Sequence, residues 1–204
     1  MRTIILVMAL LLEVTLLFGQ VSFGLKGGVN LNGTSVDGGP TALGNLETKS
    51  TMAFHVGVFS TIGLSENFYL IPELQYIQKG YKTSYSSKED KSILSYVEIL
   101  VLVGFYPIKR LGIELGPTAG LNVSAKVKRQ KDITVDIKEI IEPFEMGLIG
   151  GIRYDISDKV SATVRYFRGL TQTSRYFFTE DGVNGILSKF YNRSVQFSTY
   201  YVVR

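Results

Sequence analysis

Thr51–Gly63 reads TMAFHVGVFSTIG. In an extended chain Met52, Phe54, Val56, Val58 and Ile62 fall on one side, and Ala53, His55, Gly57 and Thr61 on the other. A period of two with one apolar and one polar face is what a half-buried strand requires. Working outward, comparable two-faced segments cover Val21–Gly33, Phe68–Tyr85, Ile93–Tyr106, Leu111–Val127, Phe144–Ile156, Val160–Leu170 and Asn192–Arg204. The pattern is weakest in Ile93–Tyr106, where Leu100 and Leu102 share a face with Glu98. These segments predict an all-β chain of eight strands.

The links between them alternate in length. Leu64–Asn67, Pro107–Arg110 and Ser157–Lys159 carry the Ser, Asn, Asp and Pro of tight turns. Thr34–Ser50, Ser86–Ser92, Lys128–Pro143 and Thr171–Tyr191 are the longer links. Short turns at one end and long links at the other predict an antiparallel up-and-down barrel that crosses a membrane. The polar face holds Gly28, Gly57, Gly116, Gly120, Gly147 and Gly151 among Glu and Arg, as a crowded interior needs, while the apolar face is aliphatic. That distribution favours the inverted arrangement, with polar residues inside and apolar residues toward lipid, over a soluble barrel.

Met1–Gln20 stands apart. Arg2 precedes an almost wholly apolar run, Thr3–Phe18, and cleavage is expected near Gly19–Gln20. This predicts residues 1–20 as a secretory signal peptide and 21–204 as the barrel domain. The alternative, a membrane-anchoring helix, is disfavoured by the length of the run and by Glu13 near its middle. The longest later apolar run, Ile99–Phe105, is strand-sized. The chain has no Cys, which removes disulfides and acylation. Its net charge of +4 comes from scattered Lys and Arg, so no nucleic-acid partner is expected. An even strand number places both termini at the short-turn end, the periplasmic side of an outer-membrane barrel.

The main candidate constellation is the set of charges on the predicted inner face. Glu73, Glu98, Glu114, Glu145 and Asp155 share it with Lys126, Arg153 and Arg165, and also with Lys26, Lys79 and Arg204. An eight-stranded barrel has an interior just wide enough for side chains to fill. The set is therefore read as a structural network of ion pairs, with a proton or ion path as the alternative. His55 is the only histidine and has no cysteine or second histidine beside it, so neither a metal site nor a catalytic role is assigned to it. Carboxylate pairs of glycosidase type would find no room for a sugar in a filled interior. Recognition would reside in the long links. Among these, Asp132–Pro143 is expected to extend a hairpin or form a short helix. Arg175–Phe178 and Phe190–Tyr191 mark either a partner surface or a strand continuing past the membrane.

Several segments resemble the PorT-like outer-membrane β-barrel family: Phe23–Gly28 (FGLKGG), Pro72–Gly80 (PELQYIQKG), Tyr96–Gly104 (YVEILVLVG), Leu111–Lys126 (LGIELGPTAGLNVSAK), Phe144–Tyr154 (FEMGLIGGIRY) and, more loosely, Arg165–Thr171 (RYFRGLT). The chain departs from the family pattern at Leu100, where a Pro is common, and ends in Arg204 where many outer-membrane barrels end in an aromatic residue. The resemblance implies a barrel without cofactor or catalytic residues, whose namesake is linked to the secretion machinery of gliding, protease-exporting bacteria. The expected protein is a non-enzymatic outer-membrane barrel, structural or accessory to secretion or surface interaction. Its expected partners are outer-membrane lipid and envelope proteins. A small diffusion channel and a membrane enzyme at a loop cleft are the alternatives.

Overall fold

The computed structural model describes residues 21–37, 47–85, 88–129, 133–179 and 185–204; the expected signal peptide lies outside them. The strands are β1 (Val21–Asp37), β2 (Glu47–Gly63), β3 (Phe68–Tyr85), β4 (Lys88–Ile108), β5 (Leu111–Lys128), β6 (Thr134–Asp136), β7 (Phe144–Asp155), β8 (Val160–Gly169), β9 (Ser174–Thr179) and β10 (Gly185–Val202). Eight of them pair antiparallel around a ring, in the order β1-β2-β3-β4-β5-β7-β8-β10, and β10 closes on β1 from Gly24↔Val202 to Asp37↔Lys189. Closure gives each of these eight strands two neighbours, which removes the unpaired edges that a bilayer does not tolerate.

The two short strands sit at the long-link end. β6 pairs with Lys126–Lys128 of β5, and a 3-10 turn at Lys138–Ile140 follows it, so this link both extends a hairpin and forms a helical turn. β9 pairs with Gly185–Phe190 of β10, so the aromatic link after β8 begins as a continuing strand. The expected long link Ser86–Ser92 is corrected. Tyr85 pairs with Lys88, and β3 and β4 run on as one hairpin. Above the apolar belt both faces of a strand are wet, so the hydrophobic alternation that marks strands disappears there although the ladder continues.

The barrel is inside-out relative to a soluble one. Val56, Val58, Val101, Leu121 and Val164 lie on the exposed outer surface, whereas Glu114, Glu145, Arg153 and Arg165 are buried. Phe23, Phe68, Phe105, Tyr154 and Tyr201 form an exposed aromatic girdle at the short-turn end, with the Phe68 and Phe105 rings 4.8 Å apart. Tyr and Phe supply it because the chain has no Trp. Close strand approach explains the inner glycines at Gly28 and Gly116. A Cβ on Gly28 would lie 1.9 Å from the Phe197 carbonyl oxygen, and one on Gly116 2.0 Å from that of Val101.

Three register shifts bend the ladder: one between β2 and β3 near Ser50–His55, and two between β4 and β5. The one that matters most follows from Ser95↔Ser124 and Tyr96↔Asn122, which leave Val123 as an extra residue on β5. A bulge of one residue exchanges the two faces beyond it.

Candidate functional site

The charged interior forms two clusters, each drawn from several strands. In the first, Arg165 of β8 reaches across to Glu73 of β3 and Glu114 of β5. Its Nη1 and Nη2 donate to Glu73 Oε1 at 3.0 Å each, and its Nε donates to Glu114 Oε2 at 2.8 Å. Its Nη2 also pairs with Glu114. Lys26 Nζ pairs with Glu73, and the Tyr200 hydroxyl donates to Glu73 Oε1 at 3.0 Å. The Tyr200 ring stacks against both guanidinium groups, 5.1 Å from Arg165 Cζ and 4.8 Å from Arg153 Cζ. Arg153 Nε donates to Asp155 at 3.1 Å and its Nη2 to Ser161 at 3.0 Å, while its Nη1 stands 3.5 Å from Glu114 Oε1.

In the second cluster, Lys79 of β3 lies between two carboxylates, 2.5 Å from Glu98 of β4 and 2.6 Å from Glu145 of β7. Gln75 Nε2 donates to Glu98 at 2.8 Å and Asn192 Nδ2 to Glu145 at 2.7 Å. The ammonium also rests on the Phe167 ring, 3.5 Å from its centroid. Lys26, Lys79, Arg153 and Arg165 thus face Glu73, Glu98, Glu114 and Glu145, four buried bases against four buried acids. Buried charges persist where they are paired and hydrogen-bonded, and breaking one pair costs several kcal/mol.

Apolar side chains fill the space beside the charges. Ile71, Leu100, Leu102, Ile149 and Phe167 form one fully buried cluster with Tyr69 against it. Ile77, Leu94, Tyr96, Ala125 and Ile141 form another, packed by Ile137. Ile137 and Ile141 flank the 3-10 turn, so the link before β7 folds inward onto the barrel's contents. At the short-turn end a cavity of about 470 Å³ opens among Ser22, Thr61, Tyr69, Tyr106, Arg153 and Asp155. Arg153, itself 5% exposed, is among its lining residues.

Of the residues singled out in the sequence, Glu73, Glu114, Arg153, Arg165 and Asp155 come together in the first cluster. Glu98 and Glu145 meet in the second. Lys126 is corrected: it is exposed, because the bulge at Val123 turns Ala125 inward and Lys126 outward, where it sits opposite Asp136. Arg204 is exposed beyond the end of β10. The sequence puts Gln75 and Tyr200 on the inner face without giving them a part in the network, and it passes over Asn192 and Phe167. Each lies an even number of residues from an inward charge on its own strand, or on the polar face, and that parity was the available signal.

His55 is also held inside. Its Nε2 is 2.7 Å from Ser198 Oγ and its Nδ1 3.3 Å from Asn30 Oδ1. The order Ser–His–Asn is that of a nucleophile, base and orienting group. His55 is 1% and Ser198 6% exposed, so a substrate has no approach to the hydroxyl, and the set is a hydrogen-bonded tie between β1, β2 and β10. No group of three or more His, Cys, Asp or Glu that would hold a metal is present among the described residues.

Comparison with known proteins agrees with this architecture. Neisserial surface protein A (NspA) superposes with a TM-score of 0.54 at 14% identity, over 89% of this chain and 98% of that one. Ail, the attachment invasion locus protein of Yersinia pestis, gives 0.47 at 11% identity, over 90% and 99%. OprG from Pseudomonas aeruginosa gives 0.42 at 9%, over 88% and 95%. At such identities the likeness to NspA speaks for the fold alone. A search of curated protein sequences finds no match. The family model for the outer membrane protein beta-barrel domain matches residues 17–175. With its closed, inverted eight-stranded barrel, the chain belongs to the outer membrane protein beta-barrel family and resides in the outer membrane.

Proposed function

We propose that this protein is a non-enzymatic, plugged outer-membrane barrel that works through its long-link surface, as an accessory to secretion or surface interaction of the PorT-like kind. The observation that carries this reading is the filled interior. Four acids, four bases and two apolar clusters occupy the space that a pore would need. With the described interior filled and the Ser198 hydroxyl buried, this reading assigns function to the exposed long-link end. There Ile133, Val135 and Ile140 present apolar side chains to the outside. A cleaved signal peptide at residues 1–20 is part of the same reading.

The test is complementation of a deletion strain. Replacing Ile133, Val135 and Ile140 together by Ser is expected to leave barrel abundance unchanged and to abolish export or surface attachment in that strain. An activity that survives those replacements but vanishes when Arg165 alone is changed, in a variant that still folds, would refute the reading in favour of a channel.

A further inference from the structure

The strand register sets four lysines side by side at the long-link end. Lys49 of β2 pairs with Lys82 of β3, Lys82 with Lys91 of β4, and Lys91 with Lys128 of β5. Residues directly opposite one another share a face, so the four occupy one rung across four adjacent strands. That face is the outer one. Tyr81 and Ser92, next to the rung on β3 and β4, are buried, as is Ala125 on β5, whereas Lys49 and Lys128 are exposed and Lys82 and Lys91 partly so. Lys126, turned outward by the bulge at Val123, adds a fifth charge one outward position below Lys128.

The height of this rung is set by the belt beneath it. Lys91 lies two residues beyond Ile93, which pairs with Lys126, and Val97, Leu121 and Val123 form the apolar wall below. Two residues of a strand tilted by ~40° rise about 5 Å along the barrel axis. Lys91 therefore stands just outside the hydrocarbon on the leaflet remote from the two chain ends, and because the rung climbs about 3 Å per strand at the same tilt, the four lysines span about 9 Å of depth through the headgroup layer. At a strand spacing of ~4.8 Å the rung is about 14 Å wide. Like charges placed directly opposite one another destabilise a sheet. An anionic surface at that depth would offset whatever repulsion remains among the four. Asp136 stands opposite Lys126, so at that position a phosphate competes with a carboxylate.

We propose that Lys49, Lys82, Lys91 and Lys128, with Lys126, form a binding site on the outer wall for the phosphate groups of an anionic, multiply phosphorylated outer-leaflet lipid. The lipid's acyl chains lie along the apolar belt and its phosphates bridge the lysine rung. The site makes no use of the interior. It rests only on the outer-membrane location and the strand register, so it stands or falls separately from the plugged-barrel reading.

The experiment uses the full mature barrel in zwitterionic phosphatidylcholine nanodiscs, with bis-phosphorylated lipid A and its dephosphorylated form as probes and native mass spectrometry as the readout. Each lysine at a charged membrane surface contributes roughly fivefold in affinity. Lys91→Gln with Lys128→Gln should therefore weaken retention of lipid A about thirty-fold, and the dephosphorylated lipid should be retained poorly by either protein. A control pair at the opposite end, Lys109→Gln with Lys159→Gln, should change nothing. Thermal unfolding in phosphatidylcholine guards against a folding artefact: the Lys91/Lys128 variant should be at least as stable as the parent there, having lost like-charge repulsion, yet gain less stability when lipid A is added. Equal retention by parent and variant, equal loss in the control pair, or displacement of the lipid by millimolar inorganic pyrophosphate would overturn the proposal.

Discussion

Removal of Arg165 is the most demanding perturbation of this interior. The guanidinium is fully buried and makes five hydrogen bonds, three to Glu73 and two to Glu114. In Arg165→Ala, Glu73 keeps Lys26 and the Tyr200 hydroxyl. Glu114 keeps only Arg153, at 3.5 Å and without a hydrogen bond. The loss therefore falls on Glu114, a carboxylate with 0% exposure left without a close cation. Stranding one buried charge costs ~3–5 kcal/mol. Folding and unfolding in urea with lipid vesicles measures it, followed by circular dichroism and by heat-modified gel migration, since the chain has no Trp to report by fluorescence. Removing both partners, in Arg165→Met with Glu114→Gln, leaves no orphaned charge and should be less damaging than Arg165→Ala alone, with a coupling of about 0.5–3 kcal/mol. An Arg165→Ala barrel within about 1 kcal/mol of the parent would refute the reasoning, because it would mean that water already solvates the cluster.

Further outcomes follow from the same structure. Val101→Arg places a charge on the lipid-facing wall and should cost ~2–4 kcal/mol if that position lies at the midplane, read by the same vesicle titration. Gly28→Ala should fail to give the heat-resistant folded band on gels, since its Cβ would fall on the Phe197 carbonyl. His55→Ala should destabilise by ~1–3 kcal/mol by orphaning Ser198 and Asn30, with no loss of any hydrolytic activity measurable in the parent. Ile141→Ala, which empties a buried position under the long-link end, should cost ~2–5 kcal/mol in the unfolding titration.

Much of the barrel is legible in the chain because a membrane wall imposes period two on every strand that crosses it. Thr51–Gly63 shows both faces outright, and the outward Val56 and Val58 and inward His55 follow from parity alone. The strand ends are less legible, since Lys88–Ser92 is polar on both faces and carries no periodicity although it is paired throughout. The bulge at Val123 leaves no mark in composition, so Lys126 changes sides without a sequence signal. The inward Ile71, Leu100, Leu102, Ile149 and Phe167 break the expectation that the inner face is polar, and they weaken the alternation of β4 in particular. The acids and bases of the interior can be named from sequence, but which of them meet cannot. Arg165 and Glu73 are 92 residues apart, Lys79 and Glu145 66, and only the closed ring brings them together.

The central claim is that charge pairs and apolar clusters close the barrel along its axis. Planar-bilayer recording of the purified protein in symmetric salt tests it most directly. The account predicts insertion without steady current at any moderate voltage. Stable, ohmic single-channel steps from the folded parent protein would contradict it and make the interior a conduction path.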